Sequence, residues 1–280
     1  MILYKYLSSE RVDVLLNCKI RYTQLGDFND PYELNPNIDR LAGKEELVKL
    51  TKENLPKLVN EEYDKNPIVH TLISKANFLE LIKSREDILV QFITNFQPII
   101  SNLMPTILQN AFNLNIGALS LSEDPKNDLM WSHYAEDHRG YLLGFDSTHP
   151  YFNEKITPSD ELRHLRKIIY TKERPKINLM KTNGVELFLT KGMNWQYELE
   201  WRIMRPFRDA IEVIERMPYP IYLFNFPPSA ISEIILGFRM SEEKKKIIRG
   251  KLIDDSNYSH IKLYQAQLNE FDFTINLEPS

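Results

Sequence analysis

The chain has 280 residues, of which 42% are hydrophobic and 26% are charged, so it can bury a sizeable core. Its formal net charge of −4 argues against a general electrostatic grip on nucleic acid or on an anionic membrane. A single cysteine excludes an intrachain disulfide framework and a cysteine-based zinc site. The first residues lack the apolar run of a signal peptide, and no stretch is apolar enough to span a bilayer, so we expect a cytoplasmic protein.

The first part of the chain predicts a strand, a helix, a second strand and a turn. Alternating side chains indicate strands over residues 2–7 and 19–23, with a helix over residues 10–17 between them. FNDPYE, at residues 28–33, then predicts a turn. Asn and Asp side chains stabilise turns, and Pro31 cannot donate a hydrogen bond to a strand partner.

Residues 41–113 differ in character and predict a helical insertion. Segments 44–58, 68–83 and 85–112 are rich in Leu and Ile at helical spacing. We expect the prolines at positions 56, 67, 98 and 105 to break or kink these helices. The insertion would act as a lid or flank to the core, and a contact within a homo-oligomer is the open alternative.

The chain after this insertion predicts mainly strands. They are expected at residues 116–121, 140–145, 166–171, 201–204, 221–225, 231–238 and 261–265. Short helices are expected near residues 128–136 and 185–191, and a helix capped by Ser241 should end near residue 253. Because strands outnumber core helices without regular alternation, we predict one α+β domain over residues 1–280. Its core would be a mostly antiparallel twisted sheet, or two sheets that form a cleft.

Three segments carry more aromatic and ionisable side chains than folding demands. They cover residues 28–33, 128–146 and 194–202. Polar–aromatic clusters spread along one chain predict a pocket assembled from distant parts. The pocket candidates in these segments include Asp30, Glu33, His138, Tyr197 and Arg202.

Glu198 and Glu200 lie two residues apart in ELEWR, a spacing that places both carboxylates on one face of a strand. Like charges held this close tend to raise one pKa, which suits acid–base work or stabilisation of a cation. A solvent-exposed strand edge is the alternative. Arg202 would share the same face and could then neutralise both carboxylates.

His133 and His138 are five residues apart, so they do not share a helix face as a metal-binding pair at four-residue spacing would. We expect one imidazole to be a hydrogen-bonded structural group and the other to line the pocket. A metal site would need further ligands such as Asp30 or Glu33, and no metal is predicted. The sequence also lacks GxGxxG, GxxxxGK[ST], HExxH and GxSxG, which argues against the common nucleotide, metalloprotease and hydrolase sites.

Six motifs together resemble a bacterial family defined by a domain of unknown function. They are LYKY, FNDPYE, LSLSED, MWSHYAEDHRG, YELEWR and SEIILGFRMS. They cover both ends and the middle of the chain, with residues 41–113 as the variable part. This resemblance implies no particular activity.

The order of the motifs also resembles, more distantly, the ADP-ribosyltransferase fold, which binds NAD in a cleft between two antiparallel sheets. One class of that fold has Arg on the first strand, Ser-x-Ser on a middle strand and Glu-x-Glu on a late strand. The matching positions are Lys5, Ser120, Ser122, Glu198 and Glu200. Lys5 departs from the pattern, since Lys lacks the forked geometry with which Arg binds phosphate.

The resemblance implies a catalytic set. Glu200 would stabilise an oxocarbenium-like ribose as nicotinamide leaves, and Glu198 would orient or deprotonate the acceptor. Ser120 would support Glu200 through a hydrogen bond. A cationic transition state is well served by a fixed carboxylate in a dry, aromatic-lined cleft.

The resemblance also implies an NAD-binding set, with NAD as a substrate. Lys5 would contact a phosphate or a ribose, and Tyr134 or Trp131 would stack on nicotinamide. Ser122 and His133 complete this predicted set.

Three functional hypotheses follow. The leading one is an ADP-ribosyltransferase-like or NAD-glycohydrolase-like enzyme that acts on NAD or a related nucleotide, with an unspecified acceptor. The alternative is a non-enzymatic module that binds a ligand or a partner in an aromatic pocket. The third is a metal-assisted hydrolase that uses His133, His138, Asp30 and Glu33.

Overall fold

The computed structural model describes residues 1–33, 35, 37–40, 43–178 and 188–280. The chain divides into two compact units. The sheet unit comprises Met1–Leu34, Gln109–Arg174 and Val185–Ser280, and the helical unit comprises Asn35–Leu108 and Pro175–Gly184.

Strands and helices are segregated along the chain, which confirms the predicted α+β class. The strands of the described residues are β1 (Ile2–Leu7), β2 (Lys19–Gln24), β3 (Asn37–Arg40), β4 (Ile116–Ser122), β5 (Tyr141–Asp146), β6 (Arg166–Lys167), β7 (Ile169–Thr171), β8 (Lys176–Asn178), β9 (Thr190–Gly192), β10 (Glu200–Pro206), β11 (Glu212–Ile214), β12 (Ile221–Asn225), β13 (Ile231–Leu236), β14 (Lys262–Leu268) and β15 (Ile275–Pro279). The α-helices are α1 (Asp13–Asn17), α2 (Lys44–Lys65), α3 (Pro67–Leu72), α4 (Lys75–Lys83), α5 (Glu86–Asn115), α6 (Asp128–Tyr134) and α7 (Glu242–Asp254).

The large sheet of the sheet unit is mostly antiparallel and runs in the order β11-β12-β2-β4-β1-β5-β13-β14-β15, with β10 on β4 and β6 on β10. Only the β13–β14 pair is parallel among the described pairs of this sheet. Leu3 and Leu7 of β1 pack into one hydrophobic cluster, whereas Tyr4 and Tyr6 pack into another. This is the alternation that the sequence predicted for the first strand.

The sheet forks along β4, and the fork positions the candidate site. β10 pairs with β4 over its full length. The other edge of β4 is shared: Thr23 of β2 lies opposite Ala118, and Tyr4 of β1 lies opposite Ser122. Between these two pairs, β1 and β2 must diverge, since only one strand can hydrogen-bond to a given stretch of an edge.

The helical unit contains α2, α3, α4 and most of α5, with β3 and β8 paired in parallel. The prolines were expected to break or kink these helices, and Pro56, Pro98 and Pro105 do not break them, since they lie inside α2 and α5. A proline removes one backbone hydrogen bond, and the neighbouring turns continue the helix here. Only Pro67 stands at a helix start, where its missing N–H has no cost.

Within the described ranges, every helix is too short or too polar to cross a lipid bilayer. The long helix α5 comes nearest in length, with 30 residues. The predicted role of the helical segment as a lid or a self-contact stays a prediction.

Two predicted elements differ from the structure. The strand expected at residues 166–171 is interrupted after Lys167, because β6 pairs with β10 whereas β7 pairs with β9. The helix expected at residues 185–191 falls partly outside the described residues, and its end is wrong: Thr190–Gly192 is a strand. Parallel pairing of β9 with β7 overrides the local preference there.

We predict that Gly140→Ala destabilises the sheet unit, because the new methyl group would overlap the backbone carbonyl of Leu7. The expected loss is roughly 1–3 kcal/mol, as for other overpacked cores. Gly192→Ala is the matched control, since a methyl group there meets nothing within 4 Å. Urea denaturation would measure both, and equal stability of the two variants would contradict this packing.

Candidate functional site

A cleft of about 280 Å³ opens in the sheet unit at the fork between β1, β2 and β4. It is lined by Tyr4, Lys5, Tyr6, Arg21, Thr23, Asp27, Phe28, Asn29, Ser120, Leu121, Ser122, Met130, Tyr134, Lys191, Glu198 and Glu200. The five positions that match the ADP-ribosyltransferase pattern are all among them.

The three polar–aromatic segments meet in this cleft, as predicted. The Asn29 side-chain amide donates to the Tyr134 hydroxyl at 3.4 Å, and that hydroxyl donates to Glu198 Oε1 at 2.6 Å. Each of these residues comes from a different segment. One chain of hydrogen bonds therefore joins parts of the sequence that lie more than 60 residues apart.

Glu198 and Glu200 stand at a junction and not on one continuous strand, so the predicted local structure is wrong. Glu198 ends a 3-10 turn, Leu199 is left-handed with φ 43°, and Glu200 begins β10. Both carboxylates nevertheless reach the same cation. Lys191 Nζ lies 2.6 Å from Glu198 Oε2 and 3.3 Å from Glu200 Oε2.

Arg202 lies below the cleft with no exposed surface and uses all five of its N–H groups. Nε and one terminal nitrogen bind the two oxygens of Glu200 at 2.8 and 2.9 Å. The two terminal nitrogens also bind Glu33 at 3.0 and 3.1 Å, and one of them donates to the carbonyl of Phe188 at 2.7 Å. Arg202 thus neutralises Glu200, as the alternative interpretation of ELEWR foresaw, but its other partner is Glu33 and not Glu198.

The pKa of Glu200 is lowered, contrary to the expected effect of a neighbouring carboxylate. Burial alone would raise it, but attraction to Arg202 and Lys191 and hydrogen bonds from Ser120 and Arg202 bring the pKa to about 2. The same attraction raises the pKa of Lys191 against the opposing effect of its burial. Glu200 and Lys191 therefore remain a charged pair at neutral pH.

Lys5 has a different environment. Its ammonium group donates to the backbone carbonyl of Ser120 at 3.2 Å, at the point where β4 has no strand partner on that edge. Burial lowers the pKa of Lys5 to about 8, although Glu200 and Glu198 act in the opposite direction. Lys5 is a cation that the fold accommodates at a cost.

The FNDPYE turn is present and holds Glu33 inward. Asp30 is buried, and its carboxylate accepts the N–H of Tyr32 at 2.9 Å while its carbonyl accepts the N–H of Glu33 at 3.1 Å. The ring of Phe28 lies 5.0 Å from the guanidinium carbon of Arg202. Asp30 is a turn-forming residue, and Glu33 is an ion-pair partner beneath the cleft.

Seven predicted residues lie outside the cleft lining: Asp30, Glu33 and Arg202, described above, and Trp131, His133, His138 and Tyr197. Trp131 has no exposed surface and packs against Tyr6 and His138, so its predicted stacking on nicotinamide is wrong. His138 is buried between Trp131 and Phe238, and its Nδ1 has no hydrogen-bond partner. His133 is exposed beside Tyr197, which is half-buried.

No group of three or more His, Cys, Asp or Glu side chains in the described part of the chain is arranged to hold a metal ion. Two of the four proposed ligands are engaged elsewhere. Glu33 binds Arg202, and His138 stacks on Trp131. The geometry therefore gives no support to the metal-assisted hydrolase.

Sequence reasoning missed three charged residues of the cleft lining, Arg21, Asp27 and Lys191. Lys191 was assigned to a helix, and nothing in its sequence neighbourhood identified it as the partner of two carboxylates. Arg21 could have been found, because it shares the half-buried face of β2 with Lys19 and Thr23, and these residues alternate with buried ones along the strand.

A comparison with protein-family models finds a match to part of this chain. Residues 130–203 match DUF2971, a protein of unknown function. The matched segment includes Tyr134, Glu198, Glu200 and Arg202, and it confirms the predicted likeness to a family of unknown function over these residues. No curated protein and no solved structure matches the chain.

We predict that Arg202→Met strongly destabilises the sheet unit, because it leaves the buried Glu33 and Glu200 to share a single cation, Lys191, with Glu198. The expected loss is roughly 3–5 kcal/mol, the usual result of removing one partner from a buried ion pair. Arg208→Met is the control, since the Arg208 side chain is 79% exposed. Denaturant unfolding that shows similar losses for both variants would contradict the central role of Arg202.

A second prediction concerns the stability of the protein at acidic pH. Because folding lowers the pKa of Glu200 from an ordinary 4.5 to about 2, its contribution to stability is complete above pH 4.5. That contribution is lost as the pH falls from about 4.5 to about 2. Glu200→Gln should therefore weaken the dependence of unfolding free energy on pH in this window. Exposed Glu215→Gln is the control, and an unchanged slope in Glu200→Gln would refute the assignment.

Proposed function

We propose that the cleft binds NAD or a related pyridinium nucleotide and cleaves its bond between nicotinamide and ribose. The proposal rests on charge complementarity. Among the described residues, Glu33, Glu198 and Glu200 form ion pairs with two cations, Lys191 and Arg202, so the carboxylates of the cleft floor outnumber their partners by one. Lys5 supplies a positive charge beside this floor.

A pyridinium nucleotide has the same separation of charge, with a cationic ring and sugar beside anionic phosphates. Its reaction increases the positive charge on ribose as nicotinamide departs with the bonding electron pair. A negative floor that is already fixed by ion pairs can stabilise that charge without rearrangement. The cleft volume, about 280 Å³, lies just below the usual range for ligand pockets, roughly 300–1,000 Å³. It would suit the nicotinamide riboside part of the nucleotide.

Glu200 fits the role of electrostatic stabiliser, because its lowered pKa keeps it ionised. Its two oxygens accept three hydrogen bonds from Arg202 and Lys191, so it has little capacity to accept more.

Glu198 fits the role of the general base that deprotonates the acceptor molecule. It receives one hydrogen bond on each oxygen, from Tyr134 and from Lys191, and a carboxylate can accept about four. The remaining sites could accept the proton of a water or of another hydroxyl as its oxygen bonds to the ribose carbon. The products would be nicotinamide, the ADP-ribosylated acceptor and a proton.

Tyr134 is the aromatic residue that remains available for nicotinamide. Its ring lines the cleft, and its hydroxyl is fixed by Glu198 and Asn29. Phe28 and Tyr4 are further aromatic groups of the lining. Trp131, in contrast, supports this wall from the core.

The direct test is nicotinamide release from NAD by the purified full chain, alone and with cell lysate as a source of acceptors. We expect Glu198→Gln and Glu200→Gln each to reduce kcat/KM by roughly 100-fold or more. Glu123→Gln is the matched control: Glu123 binds Lys167 and Trp201 outside the cleft lining. Circular dichroism would verify that the variants fold. No release by the wild-type protein under either condition would refute the proposal.

The second candidate is a module that binds a nucleotide without turnover. It is favoured by the near saturation of Glu200, since a carboxylate engaged by Arg202 and Lys191 can be wholly structural. Calorimetric binding of NAD with no product, in wild type and in Glu198→Gln alike, would support the module over the enzyme.

A further inference from the structure

The outer face of α5 is apolar along the part of this helix that belongs to the helical unit. Large hydrophobic side chains on it are exposed over 36% to 58% of their surface, and together they form the apolar stripe: Ile88, Phe92, Phe96, Ile99, Ile100, Leu103 and Ile107. At 3.6 residues per turn these positions fall within an arc of roughly 120°, so the stripe is continuous along one side of the helix.

The helix reverses the usual distribution of polar and apolar side chains. Ser101, on the face opposite the stripe, is only 6% exposed, whereas Phe92 and Leu103 on the outer face are 58% and 56% exposed. A helix at a protein surface normally turns its polar side chains outward. Single exposed hydrophobic residues are ordinary, but a contiguous apolar patch of this length marks an interaction surface.

The stripe also lies in a stretch without charge. From Ile88 to Asn115 the sequence contains no Asp, Glu, Lys, Arg or His, and the charged residues of α5 are Glu86 and Asp87 at its start. Depletion of charge is typical of the centre of a protein interface. A helix that binds an anionic membrane carries Lys and Arg beside its apolar face, and α5 carries none. Complementary charges commonly select a different protein as partner, and this face of α5 offers no group for them.

The spacing of the stripe is symmetrical along the helix. Three pairs of its residues lie equally far from a midpoint between positions 97 and 98: Ile88 and Ile107, Phe92 and Leu103, and Phe96 and Ile99. If a second copy of α5 lies antiparallel with the midpoints aligned, each of these residues faces the other member of its pair. Apolar side chains then meet apolar side chains at all six positions. The spacings of three and four residues are those of the seam between packed helices, and opposed helix dipoles attract each other.

The area of the stripe is sufficient for a specific contact. A large hydrophobic side chain has a surface of roughly 150 Å² or more, so half of that surface in seven residues gives on the order of 500 Å² in each copy. Two copies would then bury about 1,000 Å², which reaches the lower limit for a specific interface.

We propose that the apolar stripe is the two-fold interface of a homodimer, in which α5 of one copy packs antiparallel against α5 of the other. A second copy fits this face because it presents the same uncharged apolar surface with the same symmetrical spacing. The proposal is independent of the ligand of the cleft and of any reaction there.

The test is sedimentation velocity of the purified full chain at concentrations up to about 100 μM, where micromolar association is detected. We expect wild type to form a dimer. Phe92→Glu and Leu103→Lys should each weaken the dimer roughly 100-fold, because each leaves a charge without a partner in the interface. Leu58→Lys is the matched control, since Leu58 lies on α2 and is 55% exposed, close to the 56% of Leu103.

A mixture of the two charged variants tests the antiparallel pairing. Position 92 of one copy faces position 103 of the other, so the mixed dimer pairs the introduced carboxylate with the introduced ammonium group. Its other side retains Phe92 against Leu103. We expect the mixture to associate at least about tenfold more tightly than either variant alone.

A wild-type chain that stays monomeric over this range would overturn the proposal. Its co-sedimentation with phosphatidylserine vesicles would then assign the stripe to a membrane, and failure to bind them would leave a different protein as the partner. A dimer that Phe92→Glu and Leu103→Lys leave intact, or that Leu58→Lys weakens equally, would overturn it as well. A mixture without recovery would refute the antiparallel pairing. Circular dichroism and urea unfolding would verify that the variants fold like wild type.

Discussion

The site depends on one buried side chain, Arg202, which holds Glu200 on one side and Glu33 on the other. Glu33 belongs to a turn near the start of the chain, and Glu200 begins a strand late in it. A guanidinium group with all five N–H groups satisfied can tolerate complete burial, and its carboxylate partners are then fixed in place. The geometry of the cleft floor follows from this interaction, because Glu200 in turn shares Lys191 with Glu198.

The fork along β4 is the second constraint. Because β2 and β1 share one edge of β4, the backbone between their pairing sites lacks a strand partner there, and Lys5 satisfies the carbonyl of Ser120. An ordinary sheet would leave no space at that point. Divergence of the two strands therefore creates a cavity with polar walls. This cavity does not depend on a glycine-rich loop, which the sequence lacks.

The sequence predicted many of the strands and site residues, but it did not predict features that depend on partners distant in the chain. Alternation in β1 and the turn at Asp30 depend on local chemistry, so both could be predicted. The junction at Leu199 could not, because a left-handed residue other than glycine has no strong sequence signal. Lys191 was missed because its importance comes only from tertiary pairing. Trp131 was assigned to the ligand since its position in a polar–aromatic segment does not reveal which face it occupies.

The charges of this site differ in how they are compensated. Lys191 and Arg202 offset the carboxylates and fix them in place. Lys5 contributes no ion pair among the described residues, and burial lowers its pKa to about 8. Its hydrogen bond instead satisfies the carbonyl of Ser120, at the edge of β4 that lies between the described pairings with β1 and β2.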